Sequence, residues 1–143
     1  LRRSEGIGLD VDDLLFGRNL VHVRKGKNYK ERYVPMSESV AADLQNYLQH
    51  SRPYLLLKST NALLLSRKGL RINDCSLTIR IRKLQENSRD AVLAQKRISL
   101  HSLRHSIATH LLQNGMKLKQ IALFLGHASI ESTQIYTQLV EKA

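Results

Sequence analysis

The sequence lacks the usual features of secreted and membrane proteins. Its 143 residues include one cysteine, Cys75, so no disulfide can form within the chain, and a reducing cytoplasm is the expected location. No run of apolar residues approaches the ~20 needed to cross a bilayer, which argues against an integral membrane protein. Internal repeats and low-complexity tracts are also absent. We expect Cys75 to be a small core residue rather than a nucleophile.

Acidic residues are also scarce. Twelve Asp and Glu are set against 23 Lys and Arg, which gives a net charge of +11. A strongly basic domain without a membrane span most often binds a polyanion, usually nucleic acid, although a merely basic surface is the alternative that composition leaves open. With 42% hydrophobic residues, the chain is long enough to form one globular domain, 1–143, with a core of its own.

The pattern of apolar and turn residues predicts a mainly α-helical protein with a small antiparallel β-sheet (α+β). Segments 20–23 and 31–35 predict a β-hairpin around a turn rich in lysine, and the apolar run 62–65 predicts a third, buried strand. The chain starts like the end of a helix that breaks at Gly6 and Gly8, and 86–96 is predicted to be a loop. Further helices are predicted at about 37–50, 74–85, 99–113, 117–125 and from 129 onward.

Apolar stripes at helical spacing predict which helix faces are buried. The predicted inward residues are Val40, Leu44 and Leu48; then Leu77, Ile81 and Leu84; then Leu100, Leu103, Ile107 and Leu111. Beside the last stripe, His101, Arg104 and His105 fall at i, i+3 and i+4 and form one polar cluster. Because that neighbouring face turns apolar further along the helix, the cluster is predicted to border a buried surface.

The histidines also raise the question of a metal site. His101 and His105 share a helix face, and His110 and His127 lie further along the chain. No carboxylate or thiolate neighbours complete a four-ligand set, which argues against zinc. A single histidine on a half-buried face is most often a hydrogen-bonded structural residue.

Five short features occur in a fixed order along the chain. They are LRRSE at 1–5, GK at 26–27, HSLRH at 101–105, LGH at 125–127 and Tyr136, nine residues beyond His127. Together they resemble the tyrosine recombinase (phage integrase) family. The HxxR pattern alone is weak evidence, but HxxR with LGH and a tyrosine at this spacing is specific. The resemblance covers essentially the whole chain and implies the fold of that family's carboxy-terminal catalytic core.

The resemblance also implies what lies outside this sequence. The family normally has an upstream DNA-clamping domain and earlier helices of the catalytic domain. We therefore expect these 143 residues to be the catalytic domain of a longer protein. Two positions depart from the family pattern: Arg3 replaces a usual apolar residue, and Gly6 replaces a usual leucine. The first departure leaves open whether Arg2 or Arg3 points into the site.

The resemblance assigns a catalytic role to six residues, which are Arg2, Lys27, His101, Arg104, His127 and Tyr136. Two guanidinium groups can each donate paired hydrogen bonds to the non-bridging oxygens of the scissile phosphate. The tyrosine attacks the phosphorus and gives a 3′-phosphotyrosine, and the first histidine is its general base or hydrogen-bonding partner. The lysine is the acid for the departing 5′-oxygen, and the second histidine adds a hydrogen bond to the phosphate. We expect His105 to have a structural role.

The partner that the resemblance implies is double-stranded DNA, bound by a homo-oligomer as a tetrameric synapse in the nucleoid of a bacterial cytoplasm. Further basic residues expected to contact DNA are Arg24, Lys25 and Lys30 on the hairpin and Arg80 and Lys83 on a helix. No cofactor is implied. The sequence has no carboxylate cluster to hold magnesium, which fits a metal-independent mechanism.

Two other classes of protein remain open at this point. Residues 117–136 also scan as a helix-turn-helix, with Ser132, Thr133 and Gln134 facing a groove, which would make a DNA-binding regulator without catalysis. That interpretation leaves Arg2, Lys27 and the HxxR pair unexplained. A type IB topoisomerase is the other alternative, because the same set of residues can relax supercoils. A regulator is expected to form no covalent protein–DNA adduct, whereas a recombinase forms one. Strand exchange between two duplexes then distinguishes a recombinase from a topoisomerase.

Overall fold

The computed structural model describes residues 1–24 and 31–126. These residues form two compact units, of which one contains Ser4–Asn73 and the other contains Leu1–Arg3 with the described residues from Asp74 onward. The helix predicted from 129 onward, with the groove-facing residues of the helix-turn-helix alternative, lies outside the described residues. So do five residues of the predicted site, whose roles stay predictions. They are Lys25, Lys27, Lys30, His127 and Tyr136.

The Ser4–Asn73 unit contains a three-stranded antiparallel sheet. Its strands are β1 (Leu14–Leu15), β2 (Leu20–Val23) and β3 (Arg32–Pro35), in the order β1-β2-β3. Val21 pairs with Leu14 on one side and with Val34 on the other, so three buried apolar side chains line one face of the sheet. The predicted hairpin is confirmed, with strand bounds that differ by one residue at most.

The predicted third strand at 62–65 is wrong. Its side chains are buried, but its backbone makes only isolated bridges within the described residues, from Ala62 to Asp10 and from Leu65 to Arg71. The third strand of the sheet is instead β1, which follows a 3₁₀ turn at Val11–Asp13. A continuous apolar run indicates burial, and burial alone does not decide which segment pairs with a sheet.

The helices of this unit begin with α1 (Arg3–Ile7), whose first residue belongs to the other unit. Helix α2 (Glu38–Asn46) begins as predicted, since the Ser37 hydroxyl accepts a hydrogen bond from the Val40 N–H at 3.2 Å. It continues through a π-helical turn (Tyr47–Ser51) into α3 (Arg52–Leu55). The inward face predicted for α2 is wrong at Val40, which is 46% exposed, because Ala41 is the buried residue of the first turn.

The second unit is helical in its described part. It contains α4 (Asp74–Glu86), α5 (Ala91–Gln95), α6 (Leu100–Gln113) and α7 (Leu118–Leu125). The predicted ends of α6 and α7 are confirmed to within one residue, because Ser99 caps α6 and Gly126 closes α7 at a φ of 72°. Helix α5 lies where a loop was predicted. Its start depends on the Asp90 carboxylate, which accepts the N–H groups of Val92 and Leu93.

Helices α6 and α7 pack around a small core made of Ala108, Ile121 and Leu125. The stripe predicted to be buried on α6 is therefore partly wrong, since Leu103 is 50% exposed and Ile107 is 38% exposed. The buried face carries Arg104 and Ala108 instead, because a small side chain lets α7 approach closely. Two further burial predictions are wrong: Leu84 on α4 is 74% exposed, and Cys75 is exposed.

The fold class is confirmed as mainly α-helical with a small antiparallel sheet. Over residues 1–24 and 31–126, none of the helices has the length and apolar character required to cross a bilayer.

Candidate phosphate-binding site

One cavity of about 370 Å³ in the helical unit is lined by three of the six residues with a predicted catalytic role. Arg2, His101 and Arg104 all line it, together with Arg3 from the same end of the chain and Arg82 from α4. Four guanidinium groups and an imidazole around one cavity give it a strongly positive character. A cavity of this kind suits an anion with several oxygen acceptors, such as a phosphodiester.

Arg104 is held in place by the end of the neighbouring helix. Its side chain projects from α6 and is buried, with 7% of the residue exposed. The guanidinium donates a hydrogen bond from Nη2 to the carbonyl oxygen of Leu125, in the last turn of α7. Carbonyls in a last helical turn have no partner within their helix, and a cation there is favourable. The contact fixes the orientation of Arg104 at the cavity wall. Because the two residues lie 21 positions apart, no local sequence pattern predicted it.

His101 and His105 form a pair on consecutive turns of α6. Their Nε2 atoms lie 2.5 Å apart, and the rings are perpendicular with centroids 4.1 Å apart. Burial, and then the charges of His101 and Arg104, lower the pKa of His105 below its usual range. The lowered pKa favours the neutral form of His105, and its contact with His101 restrains the His101 ring at the cavity. This contact agrees with the structural role expected for His105.

The two arginines at the start of the chain differ in their surroundings. Arg2 is half-buried, whereas Arg3 is exposed and lies 3.2 Å from the Asp74 carboxylate at the start of α4. Side chains of that pair are 53% and 59% exposed, so the ion pair contributes little stability. Because Arg2 is the half-buried residue of the two at the cavity wall, it is the better candidate for a phosphate ligand.

We expect Arg2→Ala and Arg3→Ala to have different effects in the intact protein. Arg2→Ala should reduce DNA strand cleavage by about a hundredfold or more, the usual effect of losing one charge-stabilising donor. Arg3→Ala should leave cleavage within about threefold of the unsubstituted protein, because it removes only an exposed ion pair. Single-turnover cleavage rates measure both. A larger loss in Arg3→Ala would show that the neighbouring arginine is the phosphate ligand.

A buried ion pair lies in the Ser4–Asn73 unit, directly after these arginines in the chain. Arg32 at the start of β3 contacts Glu5 of α1 through two parallel bonds of 2.5 and 3.1 Å. The side chains are 11% and 1% exposed. The pair fixes α1, which follows Arg2, to β3. The two residues lie 27 positions apart, so no local sequence pattern could have linked them.

Breaking this pair should destabilise the protein strongly. Glu5→Gln keeps the shape of the side chain but leaves the Arg32 charge buried without its counterion, so we expect a loss of about 3 kcal/mol in the free energy of unfolding. Urea denaturation measures it. The matched control is Asp74→Asn, which breaks the exposed pair with Arg3 and should cost less than about 1 kcal/mol. Equal losses in the two variants would contradict a special role for the buried pair.

Arg24, predicted to contact DNA, is engaged within its own unit. Its guanidinium lies 3.0 Å from the Asp10 carboxylate and 3.1 Å from that of Asp13, and it donates to the Gly8 carbonyl at 2.8 Å. The hydrogen bond from Arg71, with Arg24 nearby, lowers the pKa of Asp10. These contacts anchor the end of β2. A DNA contact by Arg24 stays a prediction.

The remaining predicted contacts lie on α4 or beyond the described residues. Arg80 is half-buried and Lys83 is exposed, and their contact with DNA stays a prediction. In the described part of the chain, no group of three or more histidine, cysteine or acidic side chains is placed to hold a metal ion.

A cavity lined by arginines and a histidine defines a candidate oxyanion site. Comparisons with known proteins show the family to which the chain belongs. The chain belongs to the phage integrase family, whose profile matches residues 1–142. The family predicted from the motifs is therefore confirmed.

Relatives with assigned names agree with the family. The chain is 42% identical over 142 residues to tyrosine recombinase XerC of Chlamydia caviae, which covers 99% of this chain and 44% of that protein. It is 39% identical to tyrosine recombinase XerC of Halalkalibacterium halodurans, covering 99% and 46%. The chain thus spans less than half the length of the curated relatives that it matches.

Solved structures agree as well. The crystal structure of XerA recombinase superposes with a TM-score of 0.81 at 33% identity, covering 95% of this chain and 47% of that one. The XerH site-specific recombinase bound to its difH substrate, in a pre-cleavage complex, gives a TM-score of 0.76 at 25% identity, covering 99% and 40%.

Proposed function

We propose that the intact protein containing this chain is a tyrosine-type site-specific DNA recombinase. It breaks and rejoins double-stranded DNA through a 3′-phosphotyrosine intermediate. The observation that carries the proposal is that Arg2, His101 and Arg104 all line the same cavity. The names of two relatives reported above support it, because both are tyrosine recombinases, and one solved structure is a site-specific recombinase bound to its DNA substrate.

In this proposal Arg2 and Arg104 stabilise the negative charge of the scissile phosphate. A phosphodiester is anionic, and its negative charge repels an attacking oxygen until the charge is neutralised. Arg2 and Arg104 neutralise the non-bridging oxygens and stabilise the additional charge of the transition state. Because Arg104 is already held by the end of α7, little reorganisation is needed when the phosphate binds.

The chemical step is a reversible exchange of one phosphoester for another. The Tyr136 oxygen attacks the phosphorus, the bond to the 5′-oxygen breaks, and a phosphotyrosine ester forms at the 3′ end. His101 accepts the tyrosine proton or hydrogen-bonds the oxygen that loses it, Lys27 supplies a proton to the departing 5′-oxygen, and His127 hydrogen-bonds the phosphate. His105 restrains the ring of His101. Energy of the broken bond is conserved, so the 5′-hydroxyl of another strand can reverse the step.

The intact protein acts, in this proposal, as a homo-oligomer that brings two duplexes together in a tetrameric synapse in the bacterial nucleoid. Such assembly distinguishes a recombinase from a topoisomerase, because strand exchange needs the nucleophiles of several copies at two duplexes.

Covalent trapping tests the proposal and also finds the DNA site. The intact protein is incubated with fragmented genomic DNA from its host, the mixture is denatured, and the DNA that stays attached to protein is sequenced. The recovered site is then built into a duplex with a nick just downstream of the cleavage position, so that the short fragment carrying the released 5′-hydroxyl diffuses away and the adduct accumulates. We expect a protein–DNA adduct on a denaturing gel from this nicked duplex, and exchange of strands between two intact duplexes that carry the recovered site.

Each alternative gives a different result in this experiment. A helix-turn-helix regulator binds the DNA but leaves no adduct after denaturation, which would overturn the proposal. A type IB topoisomerase forms the adduct and relaxes supercoiled DNA without exchanging strands between duplexes, which would correct the proposal to that class.

A further inference from the structure

A second cavity lies beside the phosphate-binding cavity, within the same unit. It has a volume of about 470 Å³, and its wall includes Arg82, Glu86, Lys96 and Arg97. Arg82 and Ile98 line both cavities. The two cavities are therefore neighbours on one surface, and a ligand that extends beyond the first would reach the second.

The charges of the second cavity favour an anion. Three cations face one carboxylate, that of Glu86. Other arginines are neutralised by the protein itself, as in the pairs of Arg3 with Asp74, Arg32 with Glu5 and Arg71 with Asp10. In the two described segments, by contrast, no carboxylate lies within ion-pair distance of Arg82, Lys96 or Arg97, and all three are exposed. Their positive charges can therefore interact with a bound anion.

The backbone separation of Arg97 and Leu100, which line different cavities, is compatible with nearby phosphates of one DNA strand. The segment between α5 and α6 joins them, and its ends, Lys96 and Ser99, have extended backbones. An extended chain advances at most about 3.6 Å per residue, so the three steps from Arg97 to Leu100 span at most about 11 Å. Phosphates of one DNA strand follow each other at about 3.4 Å along the helix axis. A strand seated on Arg104 would thus place a neighbouring phosphate within reach of Arg97.

We propose that Arg82, Lys96 and Arg97 bind a backbone phosphate of the cleaved strand, next to or one removed from the scissile phosphate. Arg82 lies between the two phosphates and faces both. The proposal rests on the proposed function and names a contact within it. Contacts of this kind fix the position of the strand without reading its sequence. They would set which phosphate reaches Arg2, His101 and Arg104.

A thermodynamic cycle between protein and DNA tests the contact. Duplexes with the recovered cleavage site carry a neutral methylphosphonate at one phosphate at a time, within two nucleotides on either side of the scissile position. Each is titrated with the unsubstituted protein and with Arg97→Ala, and binding is followed by fluorescence anisotropy. We expect one methylphosphonate position to weaken binding to the unsubstituted protein about tenfold, the usual effect of losing a charged hydrogen bond. At that position the same change should weaken binding to Arg97→Ala less than about twofold.

The matched control is Arg89→Ala, which removes the same charge from an exposed position between α4 and α5 that lines neither cavity. It should keep the full tenfold penalty. Equal methylphosphonate penalties in the unsubstituted protein and Arg97→Ala at every position would overturn the contact, as would loss of the penalty in Arg89→Ala. A normal adduct in these cases would leave the proposed function standing. Failure of the unsubstituted duplex to form an adduct would overturn the proposed function, and the contact with it.

Discussion

Arg104→Lys in the intact protein is expected to lower the rate of DNA strand cleavage by at least about a hundredfold. The guanidinium of Arg104 donates to the Leu125 carbonyl and lines the cavity with Arg2 and His101. Only a planar group with several fixed donors can do both at once, whereas a lysine ammonium is a compact point charge on a flexible stem. Losing a single donor aimed at transition-state charge costs on the order of a hundredfold to a thousandfold in rate. Single-turnover cleavage of the nicked duplex measures this rate.

Two measurements separate the loss of chemistry from a loss of folding. The thermal midpoint of Arg104→Lys reports the contact with α7, and DNA affinity by anisotropy reports the remaining charge. We expect affinity to fall by less than about tenfold, because the positive charge is kept. Arg89→Lys, an exposed arginine outside the cavity, serves as control and should cleave at the unsubstituted rate. Cleavage by Arg104→Lys within about threefold of the unsubstituted rate would remove Arg104 from the proposed site.

Local signals in the sequence were enough to predict where α6 and α7 begin and end, although α5 was missed. Ser99 and Gly126 act through their own backbone and side chain, so the ends of α6 and α7 were predicted to within a residue. Which face of α6 is buried depends on its neighbour α7 instead. Spacing predicted that Leu103 and Ile107 would be buried, but the small Ala108 faces the partner helix. Apolar periodicity does not show which helix packs against α6, and α6 has two apolar faces that could have been buried.

The candidate site divides in the same way. Helical spacing alone predicted that His101 and Arg104 lie together, because the i, i+3 relation brings side chains to one face. Arg2 is about 100 residues away in the chain, and only the resemblance to a family placed it beside them. The pair of Glu5 with Arg32 and the contact of Arg104 with the end of α7 were missed. Such contacts form between distant segments, and nothing in one sequence marks them.

Composition left two explanations of the net charge of +11, a polyanionic partner and a merely basic surface, and the structure shows that the cations fall into two groups. In the Ser4–Asn73 unit, Arg24, Arg32 and Arg71 are bound to carboxylates and stabilise the fold. In the helical unit, the cations of the two neighbouring cavities are arranged around space that a ligand can fill. Net charge therefore indicated the class of partner, but the ion pairs decide which cations are available to bind it.

Tyr136→Phe in the intact protein is expected to abolish the covalent protein–DNA adduct completely. Phenylalanine has no oxygen to attack phosphorus, so the proposed step loses its nucleophile. DNA affinity should stay within about twofold, because only one hydroxyl is lost from a protein that binds mainly through its positive charge. Denaturing gels of the nicked-duplex reaction measure the adduct, and anisotropy measures the affinity.

The matched control for this change is Tyr54→Phe, which removes the same hydroxyl from a tyrosine that is 85% exposed in the other unit. It should form adduct at the unsubstituted rate. An adduct retained in Tyr136→Phe would mean that another side chain is the nucleophile, and the assignment of Tyr136 would be wrong. An adduct lost in both variants would point to a general sensitivity of folding to these substitutions. A loss confined to Tyr136→Phe, with DNA affinity kept, is the result that only a nucleophilic tyrosine explains, since a residue needed just for binding would lower affinity and adduct together.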